Sequence, residues 1–238
     1  ASSRPRYFQL RGVGELEQYQ GAPNPSVGFL VDDIDFSGLG MVATLFDVEQ
    51  VEVLRGPQGT RLGANALAGL IKVVTRAPRP ERELGVETGI GEDGLWSAGV
   101  VAGGALPQAA GEEGAWRLAV QRSESDGFRR NAFLDRDDTN GRDELTARAR
   151  LRLVPAEDWR ADLTLLFADL DNGYDAFAID NSFRTLSDRP GRDAQRSTGL
   201  SLDLRRDPAT GPGLQSVTAW ADTRLEASFD GDWGNDGD

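Results

Sequence analysis

Arginines and carboxylates carry nearly all the ionisable chemistry of this chain, whose 26 basic and 39 acidic residues stand beside no histidine and no cysteine. Without histidine, the commonest general base, the usual zinc ligand and the Ser-His and Cys-His pairings of hydrolases are all missing. Without cysteine there is no thiolate metal site and no disulfide framework. Gly89-Ile90-Gly91-Glu92-Asp93-Gly94 spells a dinucleotide fingerprint, but it lies between two alternating runs with no helix after it, so it is expected to be a hairpin tip. The acidic runs Asp135–Asp143 and Asp230–Asp238 lack the ligand spacing of a calcium loop and are expected to be solvated loop carboxylates. Arg148, Arg150 and Arg152 form a row that could attract a ligand, or more plainly could line a water-filled wall opposite other carboxylates. Lys72 is the sole lysine and suggests no function by itself. A formal charge of −13 argues against nucleic acid and against simple adsorption to anionic lipid. No catalytic constellation emerges; the chain is read as no enzyme, with no cofactor and no metal site.

The elements that position these groups are strands. No apolar run approaches the roughly 18 residues of a membrane helix, while a barrel strand would hide its apolar face by alternation. From Val48 to Arg76 two apolar strand-like runs flank a glycine-punctuated, short-helix-like centre, with Gly56-Pro57 closing the first run and Arg76-Ala77-Pro78 ending the second. The spacing of Met41, Val42, Leu45, Phe46 and Glu49 predicts a short helix within 39–50, and the Gly-Ala-Pro-Asn-Pro run predicts a loop within 12–26. After Pro78-Arg79-Pro80 the texture changes to alternating segments, which places a domain boundary near residue 80: 1–79, then 80–238. Seven strands are expected, at about 82–91, 95–106, 115–125, 143–154, 159–171, 195–206 and 214–229. In Glu144–Leu153 the apolar Leu145, Ala147, Ala149, Leu151 and Leu153 share one face and the arginine row takes the other; Trp159 to Phe167 repeats the pattern across a turn at 155–158. A soluble sandwich shows the same alternation. The links favour a membrane barrel, since short joints near 107–114, 155–158 and 207–213 alternate with long ones at 126–142 and 172–194, the short tip at 91–94 excepted. Trp159 opens its strand where a membrane-interface aromatic would sit, a position equally open to a core anchor.

The stretch Val51-Glu52-Val53-Leu54-Arg55-Gly56-Pro57 through Gly69 to Arg76 resembles the end of the plug domain of TonB-dependent outer-membrane receptors, "VEVLRGPxGxLYGxxAxGGxINIxTK". Phe8-Gln9-Leu10-Arg11-Gly12 is similar to that family's "IRG" strand, and Val27 to Asp32 to its "VxxYVDG" strand, in the family's order; Arg61-Leu62-Gly63 and Asp33 depart from the usual Leu-Tyr-Gly and glycine. The resemblance implies a mainly β chain: an α+β plug portion, then antiparallel transmembrane strands, seven of a barrel of about 22. It implies a fragment lacking the signal peptide, the TonB box and the later strands. It further implies active uptake of a ferric siderophore across the Gram-negative outer membrane, with cobalamin, haem or oligosaccharide as alternative ligands. Partners would be outer-membrane lipid and TonB with ExbB and ExbD. The competing reading is a secreted or surface β-domain that only binds glycans or partners. External loops would carry the ligand, making Tyr174, Phe177, Phe183 and Arg184 contact candidates. In the family, the arginines matching Arg11 and Arg55 pair with barrel glutamates as a latch; here those partners would lie on later strands, with Glu52 or Asp47 as local substitutes.

Overall fold

The structure is a computed structural model that describes residues 3–14, 25–40, 42, 44–59, 66–107 and 113–235. Its first unit is a four-stranded sheet of β1 (Val27–Val31), β2 (Ile34–Asp35), β3 (Val48–Arg55) and β4 (Gly69–Thr75), in the order β2-β1-β4-β3. β1 is buried along its whole length, as its unbroken apolar run requires of a central strand. It runs parallel to β4, while β3 returns antiparallel on the outside of β4. The β1–β2 turn needs one left-handed residue, and Asp32 supplies it (φ 52°), so Asp33 is not required to be the glycine of the resembling motif. Gly69 is required: at φ 154°, a Cβ there would stand 2.5 Å from the Leu54 carbonyl oxygen and from Leu10 Cδ1.

Two expectations change here. The described residues of 39–50 form turns leading directly into β3 rather than a helix, because Leu39 and Val42 pack against the core from a folded-back loop. Phe8–Arg11 forms no ladder: Leu10 and Val13 make an isolated bridge, and the segment is held instead by Phe8 stacking on Phe29 at 5.3 Å. The loop within 12–26 and the centre of the 56–69 connection fall largely on 15–24 and 60–65, outside the described residues.

The second unit is a seven-stranded antiparallel meander: β5 (Glu83–Ile90), β6 (Trp96–Ala105), β7 (Ala115–Ser125), β9 (Arg142–Ala156), β10 (Trp159–Tyr174), β12 (Gly191–Arg206) and β13 (Leu214–Ala227). Two short pieces, β8 (Arg130–Asn131) and β11 (Arg184–Thr185), pair within the long links. All seven expected strands are present in sequential order. β10 and β12 run three and four residues further toward the long-link end than their apolar alternation suggests, because Arg192 binds Asp171 at 2.8 Å and Asn172 donates to Glu144 at 2.9 Å across the added rungs. The fingerprint-like glycines form the β5–β6 hairpin tip, where Gly91 N–H donates to the Leu95 carbonyl at 2.8 Å.

The two faces of this sheet decide between sandwich and barrel. In register, Leu118, Ala149, Leu165 and Leu200 line one face, and Leu118, Leu165 and Leu200 are each more than 40% exposed. The first unit packs on the other face, the one that carries the arginine row. A soluble sandwich would cover its apolar face; here that face is bare, as lipid-facing strands require. Beyond Thr164 the covered face of β10 also turns apolar, and Leu166, Ala168 and Leu170 meet Phe29, Ile34, Phe36 and Val73 in the buried core. Among the described residues no helix is long and apolar enough to cross a membrane.

Candidate functional site

The seam between the two units is polar along most of its length. Arg148 donates to the Phe46 carbonyl, and Arg150 donates to the Thr75 carbonyl at 2.8 Å and its hydroxyl oxygen at 3.1 Å. Asp32, 5% exposed, accepts from Thr75 N–H at 2.9 Å and Oγ1–H at 2.8 Å, and lies 3.7 Å from Arg150. Arg152 turns to Asp162 at 2.7 Å. The arginine row is therefore a wall facing the first unit's backbone oxygens and carboxylates. One strand toward β5 and opposite Arg150, Arg117 forks between Asp47 (2.9 and 2.5 Å) and Glu83 (2.6 Å). Lys72 pairs with Asp33 at 3.2 Å.

Two glycines of the wall act as sockets. A Cβ on Gly99 would stand 2.5 Å from the Phe46 ring, and one on Gly199 would stand 2.9 Å from Ile34 Cγ2 and 3.1 Å from Phe36 Cζ. Gly199→Leu is therefore expected to cost about 1–3 kcal/mol through overpacking, and Ile34→Ala in the same chain should recover part of it. Denaturant unfolding of the single and double variants checks this; additive losses would disprove the socket.

The N-terminal segment adds two further ion pairs across the seam. Arg4 binds Glu144 with Nε (2.7 Å) and Nη2, Arg6 binds Asp193, and Ser3 N–H also donates to Asp193. Glu144 and Asp193 are 4% and 1% exposed. Sequence reasoning missed this pair. The available signal was Arg-Pro-Arg, which in an extended segment puts residues two apart on one side. Arg11 and Arg55 sit at one corner of the first sheet, since Leu10 packs on Gly69 and Gly69 pairs with Arg55. Both are exposed, and neither forms an ion pair with a described residue; Asp47 is taken by Arg117, and Glu52 accepts from Gln50 at 2.5 Å.

Toward the long links, a cavity of about 450 Å³ opens between the first unit and the wall. Arg4, Leu45 and Phe46 bound it on one side, and Glu87, Gln121 and Ser123 on the other. The long links above form an ordered cap. Buried Asp175 accepts from Asn131 (2.9 Å), Thr139 (2.8 Å) and Thr185 (2.6 Å), which ties the links at 126–141 and 175–190 together. Of the four contact candidates, Tyr174 is buried and meets Phe177 edge-on at 5.9 Å, while Phe177 stacks on Trp233 at 5.1 Å; these two pack the cap. Phe183, 67% exposed, meets Phe128 at 5.6 Å beneath the Arg129 guanidinium, and Arg184 is exposed on the β8–β11 ladder; these two face outward. Asp135 and Asp137 pair with Arg130 and Asp138 with Arg136, whose hydrogen bond holds the Asp138 carboxyl below its usual range. Residues 236–238 of the second acidic run lie outside the described residues. Among the described residues no group of three or more carboxylates is placed to hold a metal.

Residues 1–70 match the TonB-dependent Receptor Plug Domain family. The pesticin receptor of Yersinia pestis is 29% identical over 150 residues, covering 62% of this chain and 21% of that protein. Among solved structures, the ferric yersiniabactin uptake receptor FyuA of Yersinia pestis superposes with a TM-score of 0.80 at 22% identity, over 96% of this chain and 36% of that one. The ferripyoverdine receptor of Pseudomonas aeruginosa gives 0.69 at 18%, over 89% and 30%. The chain thus spans about one fifth of the curated relative's length. Residues 1–70 thus match a TonB-dependent receptor plug domain, and the fold of the chain as a whole is that of such a plug followed by the opening antiparallel strands of an outer-membrane receptor barrel.

Proposed function

We propose that the protein to which this chain belongs imports a ferric siderophore across the outer membrane, driven by TonB with ExbB and ExbD. The observation that carries the reading is the seating of the plug. It lies on the charged inner face of the wall and leaves the apolar face bare, which suits a lumen plug and does not suit a secreted domain that only binds glycans or partners. Residues 1–79 serve as plug and 80–238 as wall. Ferric siderophores are favoured over cobalamin, haem or oligosaccharide because the structural neighbours FyuA and the ferripyoverdine receptor are named for ferric complexes. Phe183 and Arg184 on the outer cap, with the cavity beneath, form the entry route; Arg11 and Arg55 form a latch toward later wall strands.

Cells producing the intact outer-membrane protein should accumulate radioiron from a ferric siderophore panel when TonB is present and lose that uptake when TonB is deleted. Equal uptake in both backgrounds overturns the reading. A single cysteine at Phe183 should react with an impermeant maleimide on intact cells; reaction from the periplasmic side alone would reverse the topology.

A further inference from the structure

The two long links meet on one carboxylate oxygen. Asp175 is the first residue after β10, so its backbone is fixed to the wall, and it is 4% exposed. Its Oδ2 accepts from Asn131 Nδ2 at 2.9 Å, from Thr139 Oγ1 at 2.8 Å and from Thr185 Oγ1 at 2.6 Å. These donors come from three segments: β8, the stretch that leads into β9, and β11. All three are neutral, so the cost of burying the carboxylate is offset only while every donor stays in place. The backbone beneath is equally close. Asp175 N–H donates to the Thr139 carbonyl at 3.3 Å, and a Cβ on Gly173 would stand 2.3 Å from that same oxygen.

The lock reaches the outer surface through the β8–β11 ladder, in which Asn131 pairs with Thr185 and Arg130 with Arg184. Asn131 and Thr185 are fully buried and both donate to Asp175, whereas Arg130 and Arg184 are exposed. A ladder of two residues a strand has too few rungs to hold itself in water. Its backbone bonds are Arg130 N–H to the Phe183 carbonyl at 3.1 Å and Ala132 N–H to the Thr185 carbonyl at 2.8 Å. Phe183 and Arg184 therefore stand at the rim only as firmly as Thr185 is held from beneath.

We propose that Asp175 is a positioning residue for capture of the imported ligand: it fixes both long links to the end of β10 and so presents Phe183 and Arg184 at a set place before the ligand arrives. This role rests on the entry route through Phe183 and Arg184 given under the proposed function. Loops ordered in advance spare the ligand the entropy of ordering them, so Asp175 acts on capture and leaves the later TonB-driven step alone.

The test uses the intact protein with Asp175→Ala and with Asp175→Asn; in the latter an amide oxygen can take the place of Oδ2. Without ligand or TonB, hydrogen exchange of the Arg130 and Ala132 amides should be at least about tenfold faster in D175A than in wild type and intermediate in D175N. In cells, radioiron uptake from the ferric siderophore panel should show a half-saturation concentration raised on the order of tenfold in D175A, with a maximal rate within about twofold of wild type and part of the affinity restored in D175N. If D175A fails to reach the outer membrane, Thr185→Val, which removes one donor, should show both changes while Thr185→Ser shows neither. Exchange equal to wild type overturns the lock. Faster exchange with an unchanged half-saturation concentration, or a loss confined to the maximal rate, overturns the positioning role. A wild type that imports nothing from the panel would instead overturn the siderophore reading, and the exchange result then decides the lock by itself.

Discussion

Replacing Arg6 with methionine is expected to weaken the seating of the plug by about 3–5 kcal/mol. The methionine keeps the length and apolar stem of the side chain while removing the Arg6 guanidinium from Asp193, which is 1% exposed and also accepts from the Ser3 N–H. A carboxylate buried on a barrel wall and stripped of its guanidinium bears the cost of desolvation without its counter-charge. The double variant Arg6→Met/Asp193→Asn removes that charge and should recover most of the loss, because the penalty resides in the unpaired carboxylate. Denaturant midpoints of the intact protein in lipid vesicles, with hydrogen exchange of the amides of residues 3–14, measure both. A single variant that loses under about 1 kcal/mol, or a double variant no better than the single, would show the pair to be a marginal contact.

Leu165→Arg should cost about 2–4 kcal/mol, the penalty of a guanidinium near the middle of a barrel's lipid face. Its neighbour in sequence supplies the contrast. Leu165 is 46% exposed on the bare face, whereas Leu166 is 2% exposed in the core shared with Phe29, Ile34 and Phe36. Leu166→Ala should therefore open a cavity and cost about 2–5 kcal/mol, while Leu165→Ala, which only exchanges one lipid contact for another, should cost far less. Folding titrations into vesicles would order these three variants. A Leu165→Arg variant as stable as wild type would mean that this face is not in lipid, and would return the sandwich reading that the alternation alone leaves open.

Strand positions, hairpin order and the split of each wall strand into an apolar and a polar face were legible in the sequence, because each rests on neighbours within a few residues: alternation of period two, a glycine tip at 91–94, and a turn at 155–158 that the structure tightens to Glu157-Asp158. The plug motif was legible for the same reason, being one continuous run from Val48 to Arg76. What the tertiary structure decided depends on residues far apart. Only packing revealed that the plug covers the arginine face and leaves the leucine face bare, since two chemically different faces are equally good candidates for burial until something is laid on one of them. The Arg6–Asp193 and Arg4–Glu144 pairs join residues 187 and 140 positions apart, and no local pattern marks which of 26 basic residues will meet which of 39 acidic ones. The added rungs of β10 and β12 and the packing of buried Tyr174 and half-buried Phe177 in the cap share that origin: each depends on residues brought together across strands and links, which sequence spacing along one strand does not contain.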